Sequence, residues 1–96
     1  MIDNTKTYVI NTANSATQTI PEAVEQVELV VGLAGGATSI SATTYTVVSG
    51  SPSAGQVQFT GAPGSPSNTL TFESALAANG LLLVMAVPIG AVRTSY

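Results

Sequence analysis

"ANGLLLVMAVPIGAV", residues 78–92, is the most apolar stretch of the chain, and no charge interrupts it. Three structures compete for it: a membrane span, a buried helix, or a strand with both faces out of water. A spanning helix needs about 20 consecutive apolar residues, and here Pro88 and Gly90 break the run. No membrane insertion is therefore expected. As a strand, the run puts Leu81, Leu83, Met85 and Val87 on one face and Leu82, Val84 and Ala86 on the other. An antiparallel sheet commonly buries one face and wets the other, yet both faces here are apolar. Burying a Leu or Val side chain is worth roughly 1.5–3 kcal/mol, so the second face calls for a cover. A loop of the same chain would serve. The favoured cover is another copy of the chain, which makes Leu82, Val84 and Ala86 candidate subunit-interface residues.

The rest of the chain reads as strands and turns. It is rich in Thr, Ser, Val, Ala and Gly, with β-branched runs broken by Gly, Pro, Asn and Ser. Strands are expected at 6–11 ("KTYVIN"), at 16–20 (ended by Pro21) and at 24–32 ("VEQVELVVG"). Others follow at 37–50 (one long or two short), 56–60 and 68–73, with the last at 80–87. In 24–32, alternation places Val27, Leu29 and Val31 opposite Gln26, Glu28 and Val30. The three-residue spacing of Glu22, Glu25 and Glu28 would suit a helix, but β-branched content and the glycines that follow favour a strand. Val57, Phe59, Leu70, Phe72, Val27 and Leu29 form the expected core. The turn-rich links 49–55 and 61–68 read as hairpin loops, and "ESALAANG" allows at most a helical turn. These elements predict an all-β fold, a single-domain antiparallel β-sandwich or jelly roll of about seven to eight strands.

Composition narrows the function. The chain has 96 residues, enough for one domain, and charged residues are 7% of it against about 25% in ordinary proteins. Lys6 and Arg93 are its only basic residues, and the net charge is −3. Phosphate binding draws on clustered Lys and Arg, so no nucleic-acid partner is expected. With no His and no Cys, Ser-His-Asp and Cys-His catalysis and the usual zinc and haem sites fall away. Alternation sends Glu25 and Glu28 to opposite faces, so the acidic trio does not converge on a metal, and "GLAGG" at 32–36 lacks the Lys of a phosphate loop. No catalytic residue, cofactor or metal is expected, and the protein is not expected to be an enzyme. The N-terminus has no long apolar core and does not read as a secretory signal.

Soluble β-proteins guard free strand edges with charge, Lys above all, and this chain has one Lys. Such a chain suits a subunit whose edges are paired with its neighbours. "MIDNTKTYVI" carries Ile2, Tyr8, Val9 and Ile10 among polar residues. That pattern makes residues 1–10 a candidate N-terminal extension and donor strand, with 11–96 as the β-sandwich domain. The alternative is that 6–11 is an internal strand of the same chain.

The order of "VEQVELVVG", "TYTVVSG", "NTLTFE" and "SALAANGLLLVMAV" resembles a short β-rich, jelly-roll-like module of phage tail-fibre proteins and of fibre proteins of endospore appendages. Val27–Gly32, Tyr45–Val47, Leu70–Phe72 and Leu76–Gly80 carry the likeness, which covers roughly residues 6–88. The resemblance implies a non-catalytic structural subunit that self-assembles by strand addition into an extracellular filament on a cell or spore surface. Its partners would be copies of itself, with an anchoring or tip protein as a further candidate. The alternatives are a phage virion protein, as a decoration or tail-fibre domain, and a carbohydrate-binding sandwich that uses Tyr8 or Tyr45.

Overall fold

A computed structural model describes residues 5–35 and 40–88. The expectations for Ile2 and for the end of the apolar run lie outside the described residues. Six strands form among the described residues: β1 (Lys6–Asn11), β2 (Thr17–Gly35), β3 (Ile40–Val48), β4 (Gln56–Gln58), β5 (Ser67–Phe72) and β6 (Leu81–Pro88). The fold is all-β, with no helix among the described residues.

Three features correct the expected sandwich of seven to eight antiparallel strands. First, the stretches 16–20 and 24–32 fuse into β2, which runs straight through Pro21. Proline cannot donate to a ladder, but here it falls in a gap. β2 pairs with β5 at Thr17–Thr19, resumes at Val24, and pairs with β6 only from Val24 onward. Second, the strand order is β1-β6-β2-β3-β4-β5, and an additional β2–β5 pairing closes β2, β3, β4 and β5 into a ring. Third, β3 and β4 are parallel, with Thr46 opposite Gln56 and Val48 opposite Gln58. Parallel neighbours ordinarily need a long crossover. Here the 49–55 link, expected to be a hairpin, retraces only the two residues from Val48 to Thr46, about 7 Å of strand. Gly55, with φ +79°, makes the turn, and its carbonyl accepts from the Thr46 N–H at 3.0 Å. The 61–68 link does contain a tight turn. Ala62 and Ser65 exchange backbone bonds across Pro63–Gly64, and Gly64 has φ +82°, as a type II turn requires.

The core fills the ring and continues under β1 and β6. Val57, Phe59, Leu70 and Phe72 are buried as expected, with Ile20 and Val24 beside them. Val27 is buried too, but Leu29 is 37% exposed and Val30 fully buried. The reason is register. Against β6, one residue is extra between Val24 and Gln26 and another between Val27 and Leu29. Each is a β-bulge, which advances the inward face by one residue. Val24, Val27 and Val30 therefore all point inward, three apart. "ESALAANG" forms bends and a turn rather than a helix. Asn79 takes φ 67°, and Thr12 clasps the segment through bonds to Ala77, Asn79 and Gly80.

Candidate functional site

Among the described residues, no cluster of metal-ligating side chains exists, and no helix is long and apolar enough to cross a membrane. The acidic trio separates. Glu22 accepts from the Tyr8 hydroxyl and pairs with Lys6 at 3.1 Å. Glu25 accepts from the Gly64 N–H at 2.9 Å and pins the Pro63–Gly64 turn. Glu28 is exposed at the second bulge. Lys6 also lies 5.2 Å from the centre of the Tyr8 ring. Burial, the hydrogen bond to Glu22 and the nearby carboxylate charge push the Tyr8 hydroxyl up to about 12. The Tyr8 and Lys6 bonds hold the Glu22 carboxyl below its ordinary value. This cluster ties the start of β1 to β2 and is structural.

β1 is the terminal strand of the sheet. It pairs antiparallel with β6 over its whole length, from Lys6 opposite Ala86 to Asn11 opposite Leu81, and its other side meets no described strand. Its faces divide sharply. Tyr8 and Ile10 are buried, whereas Val9 is 61% exposed. The boundary expected between residues 10 and 11 falls inside this strand.

The structure redistributes the candidate interface residues. Tyr8, Ile10, Leu82, Val84 and Ala86 lie in the core of a single chain, so the cover expected from a second copy over Leu82, Val84 and Ala86 is supplied by the chain itself. Of the described candidates only Val9 faces out. The open face of β6 is the other one: Leu81 is exposed, and Leu83 and Met85 are half-buried. Register extends that face sideways. Val9 stands opposite Leu83, which stands opposite Val31. Leu29 and Leu33 stand opposite Met85 and Leu81. Beyond β2, Thr44 and Ala42 of β3 continue the same two upper rows. These paired positions carry no charge, but Glu28 stands exposed beside Leu29 at the second bulge. Sequence pattern showed that β6 has two apolar faces. It could not show which one the chain covers, because that depends on the bulges in β2.

A second feature lies at the Gly80 end of β6. Two open clefts of about 130 and 230 Å³ meet at Thr43, Tyr45 and Leu76. The Tyr45 ring stands edge-on to Phe72, centroids 4.9 Å apart, and packs over Gly32, where a Cβ would come within 3.0 Å of the ring. The larger cleft adds Gln56, Glu73 and Ser74. Tyr8, the other tyrosine considered for sugar stacking, is only 5% exposed. Compared with known proteins, the chain matches no family model, no curated sequence and no solved structure.

Proposed function

We propose that the protein is a non-catalytic structural subunit that polymerises by strand addition, with β1 as the strand exchanged. The observation that carries this reading is the attachment of β1. Among the described residues its backbone pairs along one edge, with β6, and it inserts Tyr8 and Ile10 into the core. Strand addition uses the same two elements: backbone bonds for adhesion, and alternate side chains in pockets for register. The groove beside β6 accepts a β1 segment whether that segment comes from its own chain or from a neighbour. Exchange from subunit to subunit is head-to-tail, and head-to-tail contacts that do not close generate fibres. The scarcity of charge fits such a subunit, since edge charges oppose pairing. A filament of a cell or spore surface and a virion component both use such a subunit, and the jelly-roll likeness of the sequence belongs to this reading.

The test is negative-stain microscopy of the full chain, alone and with an excess of a peptide spanning residues 1–12. Fibres that the peptide caps and shortens are the expected result. A full chain that stays monomeric at every concentration, with no peptide uptake, overturns the reading. The Tyr45 clefts favour a second reading, a module that binds neutral sugars with Tyr45 as the stacking ring and Gln56 and Glu73 as hydrogen-bonding groups. Glycan-array binding lost in Tyr45→Ala would identify it.

A further inference from the structure

We infer that Glu22 is a latch on β1: its charged carboxylate slows the release of β1 from the groove beside β6, and acid opens it. The consequence drawn for assembly rests on the strand-exchange reading, in which β1 is the strand exchanged.

Placement carries the argument. β1 and β2 share no backbone ladder, because β6 lies between them. Glu22 nevertheless joins them. It stands on β2 ahead of Val24, where the ladder to β6 begins. Its Oε1 takes two groups of β1 at once, the Lys6 ammonium at 3.1 Å and the Tyr8 hydroxyl. Lys6 lies 5.2 Å from the centre of the Tyr8 ring, so the three side chains form one cluster. The Tyr8 ring belongs to the core, and β1 cannot leave without breaking the bond from Tyr8 to Glu22. Bonds to a charged acceptor are about twice as strong as neutral ones. Protonating Glu22 therefore weakens the Tyr8 bond and abolishes the ion pair. Lys6 and Glu22 are both exposed, so the carboxylate takes its proton directly from solvent.

Among the described residues, Lys6 and Tyr8 are the titratable groups that face Glu22. β5, β6 and the 61–66 turn carry none. Glu25, the next carboxylate on β2, is turned to the Gly64 N–H, Glu28 lies at the second bulge and Glu73 at the Tyr45 clefts. The two β1 partners hold the Glu22 carboxyl below 4.5. The latch is thus closed above that value and opens as pH falls through the depressed one.

Glu22 acts on the rate of exchange. The same carboxylate receives Lys6 and Tyr8 whether β1 comes from its own chain or from a neighbour. A contact made equally in two states shifts no equilibrium between them, but it must break on the way from one to the other. Acid therefore speeds exchange, and a return to neutral pH fixes whichever pairing has formed.

The test is hydrogen–deuterium exchange of the full chain, read by mass spectrometry at neutral pH and at about pH 3. Protection factors remove the intrinsic pH dependence of exchange, and β5 is the internal reference. Protection of β1 relative to β5 should fall about fivefold or more in acid, an exposed ion pair and a charge-assisted bond being weakened together. Glu22→Gln should show the low value at both pH values. Lys6→Met, which keeps the Tyr8 bond, is the second variant and should fall between them; circular dichroism checks the fold of each. Equal relative protection at the two pH values, or an acid-dependent fall of the same size in Glu22→Gln, overturns the latch. A labelled peptide spanning residues 1–12 reads the consequence. Uptake that is faster in acid, and no longer pH-dependent in Glu22→Gln, supports latch and exchange together. Acid loosening of β1 with no uptake at either pH keeps the latch and overturns strand exchange. Uptake at one rate at both pH values, with β1 protection unchanged, overturns the latch and leaves strand exchange standing.

Discussion

Leu82 and Leu83 are neighbours with the same side chain, and the fold assigns them opposite environments. Leu82 is fully buried, between Ile10 of β1 and Gly32 of β2 in the ladder. Leu83 is half-buried and faces out, between Val9 and Val31. Leu82→Ala deletes three core carbons at a site walled by two strands, where little collapse is available. The expected cost is about 2–5 kcal/mol, out of a total stability of about 5–15 kcal/mol for a domain. In a chain of this size each kcal/mol shifts the melting temperature by about 4–8 °C, so a fall of at least about 8 °C is expected. Leu83→Ala in the isolated monomer should cost less than about 1 kcal/mol, because part of the side chain is already in water.

Urea unfolding, monitored by circular dichroism at a concentration where the chain is monomeric, measures both. Equal m-values with widely separated midpoints are the expected pattern. A Leu83→Ala cost as large as that of Leu82→Ala would refute the face assignment.

Val30→Thr buries a hydroxyl where nothing is exposed and should cost about 1–3 kcal/mol; Leu29→Thr should cost clearly less, and the reverse order in urea melts would mean that the second bulge is absent. At Gly61 a Cβ would stand 2.4 Å from Phe59 Cζ and 3.1 Å from the Ser67 nitrogen, so Gly61→Ala should displace the Phe59 ring at a cost of about 1–3 kcal/mol, seen as a lower melting temperature. The Tyr8 hydroxyl is raised from 10.0 to about 12, so its contribution is complete below pH 10 and is lost as pH rises towards 12; Tyr8→Phe should remove that alkaline step from a plot of stability against pH. Glu22 is lowered from 4.5, so its contribution is present above that value and is lost as pH falls through the depressed one; Glu22→Gln should flatten the acid limb.

Much of the strand pattern was legible because period-two alternation survives wherever a strand has one partner register. The strands expected at 6–11, 56–60 and 68–73 form at 6–11, 56–58 and 67–72 for that reason, and Val57, Phe59, Leu70 and Phe72 fall in the core as their spacing requires. Pairing was not legible. The 49–55 link is as rich in Gly, Pro and Ser as a hairpin loop, but composition does not say whether the next strand returns antiparallel or parallel. Pro21 reads as a strand end because proline stops a ladder. Nothing local announces that the ladder is already interrupted there by a change of partner. Of the candidate interface, a strand with two apolar faces was visible, but not that Leu82, Val84 and Ala86 would pack with Tyr8 and Ile10 of β1. Gln18, only 2% exposed, holds Ala13 and Ser15 through three hydrogen bonds, and no sequence signal distinguishes it from the exposed Gln26 of the same strand.

The three-residue spacing of Glu22, Glu25 and Glu28 is where the sequence was most informative and most easily misread. A period near three and a half suggests a helix, and the valines keep the same beat at 24, 27 and 30. In the fold that beat belongs to a strand, since the bulged positions include Glu25 and Glu28 and each bulge inserts one residue between inward valines. Bulges bend a strand and increase its twist. A strand of 19 residues needs both, because its first half must pair with β5 and its second half with β3 and β6. β3 and β5 lie along one edge of β2, opposite β6, so the ring closes only if β2 curls. The repeated Val-Glu spacing is thus the local cause of the closed ring. It also shapes the outer face, since the second bulge turns Leu29 outward, beside Glu28, and brings it into register with Met85. An unbulged β2 would bury Leu29, leave Val30 in water and break the apolar face along its length. One feature of the sequence, an extra glutamate between valines, therefore sets both how the chain closes on itself and which side chains it leaves outside.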